Sequence, residues 1–160
     1  MLIDLLSLLV GLLLVVTDRA RAQPSGKRVA LVIGNADYQN EARLKNPSND
    51  TRLIAQPLRD APLAFDSVLS ANNATCVQLL QALATFRRQA ADADMAVIYY
   101  SGHGMIDGKR HNHVLPVDMP RIAGHAGPNV DTALEIHGVS ESRMVEALEG
   151  APVPLLVLDA

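Results

Sequence analysis

The sequence predicts an α/β layered fold with a mostly parallel sheet, and three observations lead there. Short, β-branched, continuously apolar runs recur at residues 29–34, 95–100 and 153–158, the pattern of strands buried on both faces of a parallel sheet. Segments with helical spacing separate those runs, and alternating strand and helix patterns imply βαβ units. The 160 residues are 49% hydrophobic and 19% charged, a globular composition for which one domain is the expectation.

Residues 5–16 are apolar apart from Ser7 and lead to Ala20-Arg21-Ala22, so residues 1–22 read as a signal peptide and the protein as exported, periplasmic or extracellular. That apolar stretch falls short of the ~20 residues of a membrane span, and no stable span is expected. Residues 23–26, with Pro24 and Gly26, read as a linker, and the folded domain as 27–160. After the first strand comes a polar loop, then helical spacing from Asn49 to about Asp60 with Leu53, Ile54 and Leu58 inward and Ser48 or Asn49 as cap. Pro57 should kink or shorten that helix. Residues 65–70 form a second strand candidate. Residues 75–91 set Leu79, Leu80, Leu83, Phe86 and Ala90 against Gln78, Gln81, Arg87 and Arg88, an amphipathic helix. The run 95–100 ends at Ser101-Gly102-His103-Gly104. Asp107-Gly108 suggests a tight turn, residues 113–117 a short extended piece, and residues 120–138 a long irregular stretch. Ser140 opens a last helix through Met144, Val145 and Leu148, before the final strand.

A net charge of −3 and the lack of any basic stripe give no reason to propose a nucleic-acid partner. The leader carries Asp4, Asp18, Arg19 and Arg21, so its removal leaves that charge unchanged. No Gly-x-Gly-x-x-Gly follows the first strand, which argues against nucleotide binding. The single cysteine, Cys76, excludes an internal disulfide and reads as a structural thiol near the start of a helix. His111, His113, His125 and His137 read as solvated loop residues; His111-x-His113 lacks a third ligand at a recognised spacing, so neither a metal nor a cofactor is expected.

In parallel sheets ligands bind at the carboxyl ends of the strands. Ser101 to Gly104 and Asp159 lie at such ends, and Asp50 opens the helix after the first strand. His103 stands between two glycines, which allow a sharp turn and close approach to an imidazole that titrates near neutrality. Alone, Asp50 also reads as a carboxylate favoured by a helix N-terminus, and Asp159 as an arbitrary strand end.

Residues 28–35 with Tyr38, Leu44-Lys45-Asn46-Pro47, Asn49-Asp50, Tyr99-Tyr100-Ser101-Gly102-His103-Gly104-Met105, Leu115-Pro116-Val117-Asp118 and Leu156-Val157-Leu158-Asp159-Ala160 together resemble the bacterial caspase-like cysteine peptidases, related to metacaspases. The resemblance implies a caspase-type three-layer sandwich around a six-stranded sheet, of which this chain holds roughly the first four strands. It also implies a Cys-His dyad. His103 matches its histidine and Gly104 an oxyanion N–H donor, while the dyad cysteine would follow Ala160. Asp50, Ser101 and Asp159 match the pocket for the residue before the cut. Two carboxylates there suit a peptide or protein substrate with Arg or Lys at that place. The 160-residue chain, without that cysteine, is expected to be inactive and to be a fragment. A non-catalytic module that binds basic peptides is the alternative, and a metal-dependent hydrolase using the loop histidines a weaker third.

Overall fold

A computed structural model describes residues 26–60, 64–122 and 127–160. The signal-peptide expectation over 1–22 and nearly all of the linker fall outside them, as does His125. Four strands, β1 (Arg28–Gly34), β2 (Ser67–Asn72), β3 (Met95–Ser101) and β7 (Val153–Asp159), form one sheet in the order β2-β1-β3-β7. Every pairing in it is parallel. A smaller antiparallel sheet joins β4 (Gly104–Ile106), β5 (Asn112–Val114) and β6 (Val139–Ser140). The α/β fold with a mostly parallel four-stranded sheet is thus as the sequence predicts.

Helix α1 (Pro47–Arg59) packs on one face of the large sheet, against β1, β2 and β3. Helices α2 (Cys76–Ala90) and α4 (Glu141–Glu146) cover the other. On that second face Leu79, Leu83, Phe86 and Ala90 of α2 meet Val29, Leu31, Ile33, Ile98 and Tyr100. Helix α2 is well specified at its start: the Thr75 side chain accepts from the Gln78 N–H while the Gln78 side chain accepts from the Thr75 N–H, a reciprocal cap.

Several local expectations need correction. The cap of α1 is Asn46, with no side-chain hydrogen bond, and its buried residues are Pro47, Thr51 and Ala55. Leu53 is 53% exposed. Pro57 lies inside α1, which runs on to Arg59, one residue short of the expected end. The carbonyl that loses a partner to Pro57 belongs to Leu53, on an exposed turn where water can serve. Part of the stretch expected to be irregular is a helix, α3 (Pro128–His137), which buries Val130 and Leu134. Pro128 and Gly127 read as punctuation in the sequence, whereas Pro in a first turn starts helices well. Ser140 does cap α4, its Oγ accepting from the Arg143 N–H at 3.4 Å, but Val145 is exposed rather than inward. Among the described residues no helix is long and apolar enough to cross a membrane.

Candidate active site at the carboxyl ends of the strands

The close approach of α1 to β1 sets one wall of the site. A Cβ at Gly34 would collide with Thr51 and with the Pro47 carbonyl, so glycine at the end of β1 lets the first turn of α1 lie against the sheet. Asp50 sits in that turn. Register does the rest: Gly34 lies beside Ser101, and Ser101 beside Asp159. The Ser101 hydroxyl donates to Asp50 Oδ2 at 3.3 Å, and the Tyr99 hydroxyl donates to Asp159 Oδ2 at 3.4 Å. Burial first, then the charges of Asp159 and Asp50, push the Tyr99 phenol upward, so it stays a donor.

Asp50, Ser101, Gly102, His103 and Asp159 line one cavity of about 250 Å³, with Lys45 also on its wall. Lys45 is exposed. Neither Asp50 nor Asp159 pairs with a cation among the described residues. The structure therefore brings together four of the five residues that the sequence singles out. The fifth, Gly104, follows His103 in the chain, is exposed, opens β4 opposite Val114, and lines an adjoining cavity of about 550 Å³ with Met105 and His113, Ala160 being common to both cavities.

The imidazole of His103 is held at one nitrogen. Nε2 lies 2.7 Å from the carbonyl oxygen of Ala42; a carbonyl only accepts, so Nε2 carries a proton and donates. In the neutral ring Nδ1 is then unprotonated and able to take a proton. Loop 35–46 that delivers Ala42 is itself pinned. The Asn35 N–H donates to Ser101 O at 2.9 Å, the Leu44 N–H to Ala36 O at 3.0 Å, and the Gln39 N–H to Val117 O at 2.9 Å. The buried Asn35 side chain donates to Leu115 O and accepts from the Ala74 N–H. Asn73, in the left-handed region at φ 50°, accepts through Oδ1 from the N–H groups of Ala36 and Asp37. Sequence reasoning missed the Ala42 carbonyl because a main-chain oxygen has no residue type to recognise.

The remaining titratable cluster stands apart. His113 is only 8% exposed, contrary to the solvated loop expected for it. Its Nε2 lies 3.4 Å, and the His111 Nδ1 3.0 Å, from Asp107 Oδ2. Hydrogen bonds from the His111 N–H first, and from both imidazoles and the Lys109 N–H, lower the Asp107 carboxyl to about 2. His111 is exposed, as expected. Cys76 is partly buried, its N–H bound to Asp118 at 2.8 Å; burial, reinforced by the Asp118 charge, raises its thiol, the reverse of what activates a nucleophile.

No curated protein matches this sequence. The model of the caspase domain family matches residues 27–160. With the parallel sheet, the helices on both its faces and the motif order along the strands, the conclusion is that this chain belongs to the caspase domain family.

Proposed function

We propose that the protein is a cysteine endopeptidase that cuts after Arg or Lys, with His103 as the proton-transfer group and Asp50 and Asp159 as the specificity pocket. One observation carries the reading: two carboxylates, neither paired with a cation among the described residues, share a 250 Å³ cavity with a histidine. A guanidinium or ammonium entering that cavity would find two acceptors, each already oriented by a hydroxyl, from Ser101 and from Tyr99. In the proposed reaction a thiolate attacks the scissile carbonyl after its proton has passed to Nδ1 of His103. The Nε2–H donated to Ala42 O keeps the ring in the tautomer that makes this possible. The imidazolium then protonates the leaving amine. Family resemblance sets the thiol in a cysteine directly after Ala160.

The test is a chain extended through that cysteine, assayed with matched peptides carrying Arg, Gln or Asp before the cut. Asp159 is exposed and Asp50 half-buried; an ion pair with an exposed carboxylate contributes about 0.2–1 kcal/mol, and each ~1.4 kcal/mol is tenfold in kcat/KM. Asp159→Ala should therefore lose Arg substrates by up to about fivefold and Gln substrates less. Preference for Asp, or equal loss of all three substrates in Asp50→Ala and Asp159→Ala, would show that the carboxylates hold structure instead. Binding of Arg peptides by the extended chain with no cleavage would favour a non-catalytic recognition module.

A further inference from the structure

Two buried tyrosines from different parts of the chain meet beneath the His103 loop. The Tyr38 hydroxyl accepts the His103 main-chain N–H at 2.7 Å. The Tyr100 hydroxyl lies 2.8 Å from the His103 carbonyl, and the two hydroxyls are 3.2 Å apart. Each hydroxyl owns a single proton. The Leu115 carbonyl also lies within reach of both, at 3.3 and 3.1 Å, but it has a donor of its own in the Asn35 side chain at 3.0 Å. Tyr100 can thus give its proton to the His103 carbonyl while Tyr38 gives its own to Tyr100 or Leu115. In that arrangement the tyrosine pair takes the His103 N–H and shares its carbonyl with the Leu115 N–H, which donates to it at 2.9 Å.

The side chain is engaged as well. The Tyr38 and His103 rings lie 4.5 Å apart between centroids, tilted by 47°. A Cβ on Gly102 would come within 2.5 Å of the Tyr100 hydroxyl and 2.7 Å of the Tyr38 hydroxyl, so the pair fills the space that glycine leaves. Burial pushes both phenols upward, Tyr100 most strongly, which keeps them protonated donors through the neutral range.

We propose that Tyr38 and Tyr100 are positioning residues for His103: they hold its main chain so that Nε2 meets the Ala42 carbonyl and Nδ1 is left for the reaction. This rests on His103 being the proton-transfer group proposed above. Neither tyrosine touches the reacting atoms in this scheme; each acts through the histidine. A displacement of ~1 Å at a catalytic group can cost about a hundredfold in rate, which is the scale on which such a brace matters.

Ring nitrogens can be read without turnover, so the test uses the 160-residue chain itself. In uniformly 15N-labelled protein, long-range correlation spectra report the tautomer of each imidazole, and His103→Gln identifies the signals of His103. The wild-type ring, in its neutral form, should be Nε2-protonated and Nδ1-free. In Tyr38→Phe and Tyr100→Phe both tautomers should be present, and the His103 amide should exchange with solvent about tenfold faster, the loss of roughly one buried hydrogen bond. The rings of His111 and His113, bound to Asp107, should not change. A general loosening of the fold would move those signals too.

A wild-type ring that is Nδ1-protonated or mixed overturns the proposal before any variant is made. So does an unchanged His103 ring and amide in folded Tyr38→Phe and Tyr100→Phe. Where a Phe variant does not unfold cooperatively, Gly102→Ala replaces it, displacing both hydroxyls while leaving them present; an unchanged His103 ring there counts against the proposal equally. Failure of the extended chain to cut any peptide would sink the peptidase reading and leave the tautomer result to stand by its own measurement.

Discussion

The two faces of the large sheet are made by the same strands, yet they are finished very differently. Beneath α2 and α4 the core is continuous, from Leu69 on β2 through β1 and β3 to Leu156 and Leu158 on β7. Beneath α1 it is small: Val32, Ala55 and Tyr99, with Ile54, Leu58 and Val68 partly buried around them. By register, Val153, Leu155 and Val157 of β7 lie on the α1 side beside Met95, Val97 and Tyr99. They are 49%, 48% and 39% exposed, because α1 lies over β1, β2 and β3. The thick face holds most of the apolar core, and the thin face leaves room at the strand ends, where Asp50, His103 and Asp159 line one cavity.

That contrast can be broken by substitution. Phe86→Ala, on the thick face, should cost about 3–5 kcal/mol of stability, whereas Leu58→Ala, half-buried on α1 against the thin core, should cost about 1 kcal/mol. Denaturant unfolding of the two variants checks this, and equal losses would mean that α1 carries as much of the core as α2. The bare stripe on β7 should next show in solution behaviour. The chain alone should self-associate through this apolar strand, and Leu155→Lys with Val157→Lys should shift sedimentation toward monomer without lowering the unfolding midpoint greatly. A wild-type chain that is monodisperse at high concentration would contradict that. Arg87 is about half exposed and bridges α2 to Glu146 and Glu149 across the outer surface of the thick face. Arg87→Ala should lose no more than about 1 kcal/mol, with the loss shrinking in salt, since exposed pairs are screened.

The asymmetry of the faces was not legible in the sequence. Residues 29–34, 95–100 and 153–158 all read as apolar on both sides, and such runs carry no mark of which side has a covering helix. Helix α2 was legible because its apolar positions repeat cleanly and Thr75 and Gln78 close its start. Helix α1 was legible as a helix and partly in its orientation: Ile54 and Leu58 pack against the small core, Leu53 satisfies the spacing yet is exposed, and Thr51 and Ala55, small enough to lie close to the sheet, are buried. Helix α3 was hidden by Gly127 and Pro128. The convergence of Asp50, Ser101, His103 and Asp159 was legible because parallel topology places strand ends together. What the sequence could not show is whatever main-chain atoms and long-range contacts supply, such as the hydroxyls of Tyr38 and Tyr100 meeting from 62 residues apart.

The partner of His103 Nε2 is a carbonyl of the main chain, at a position whose own side chain is a methyl group. No point substitution removes that oxygen. A mutational scan across residues 36–46 would therefore record position 42 as permissive, even if the histidine depends on it entirely. Sensitivity would surface instead as intolerance to altered loop length, or to a change at residues such as Asn35 and Asn73 that fix the loop's path. A residue's indifference to replacement, here, is no measure of what its backbone contributes.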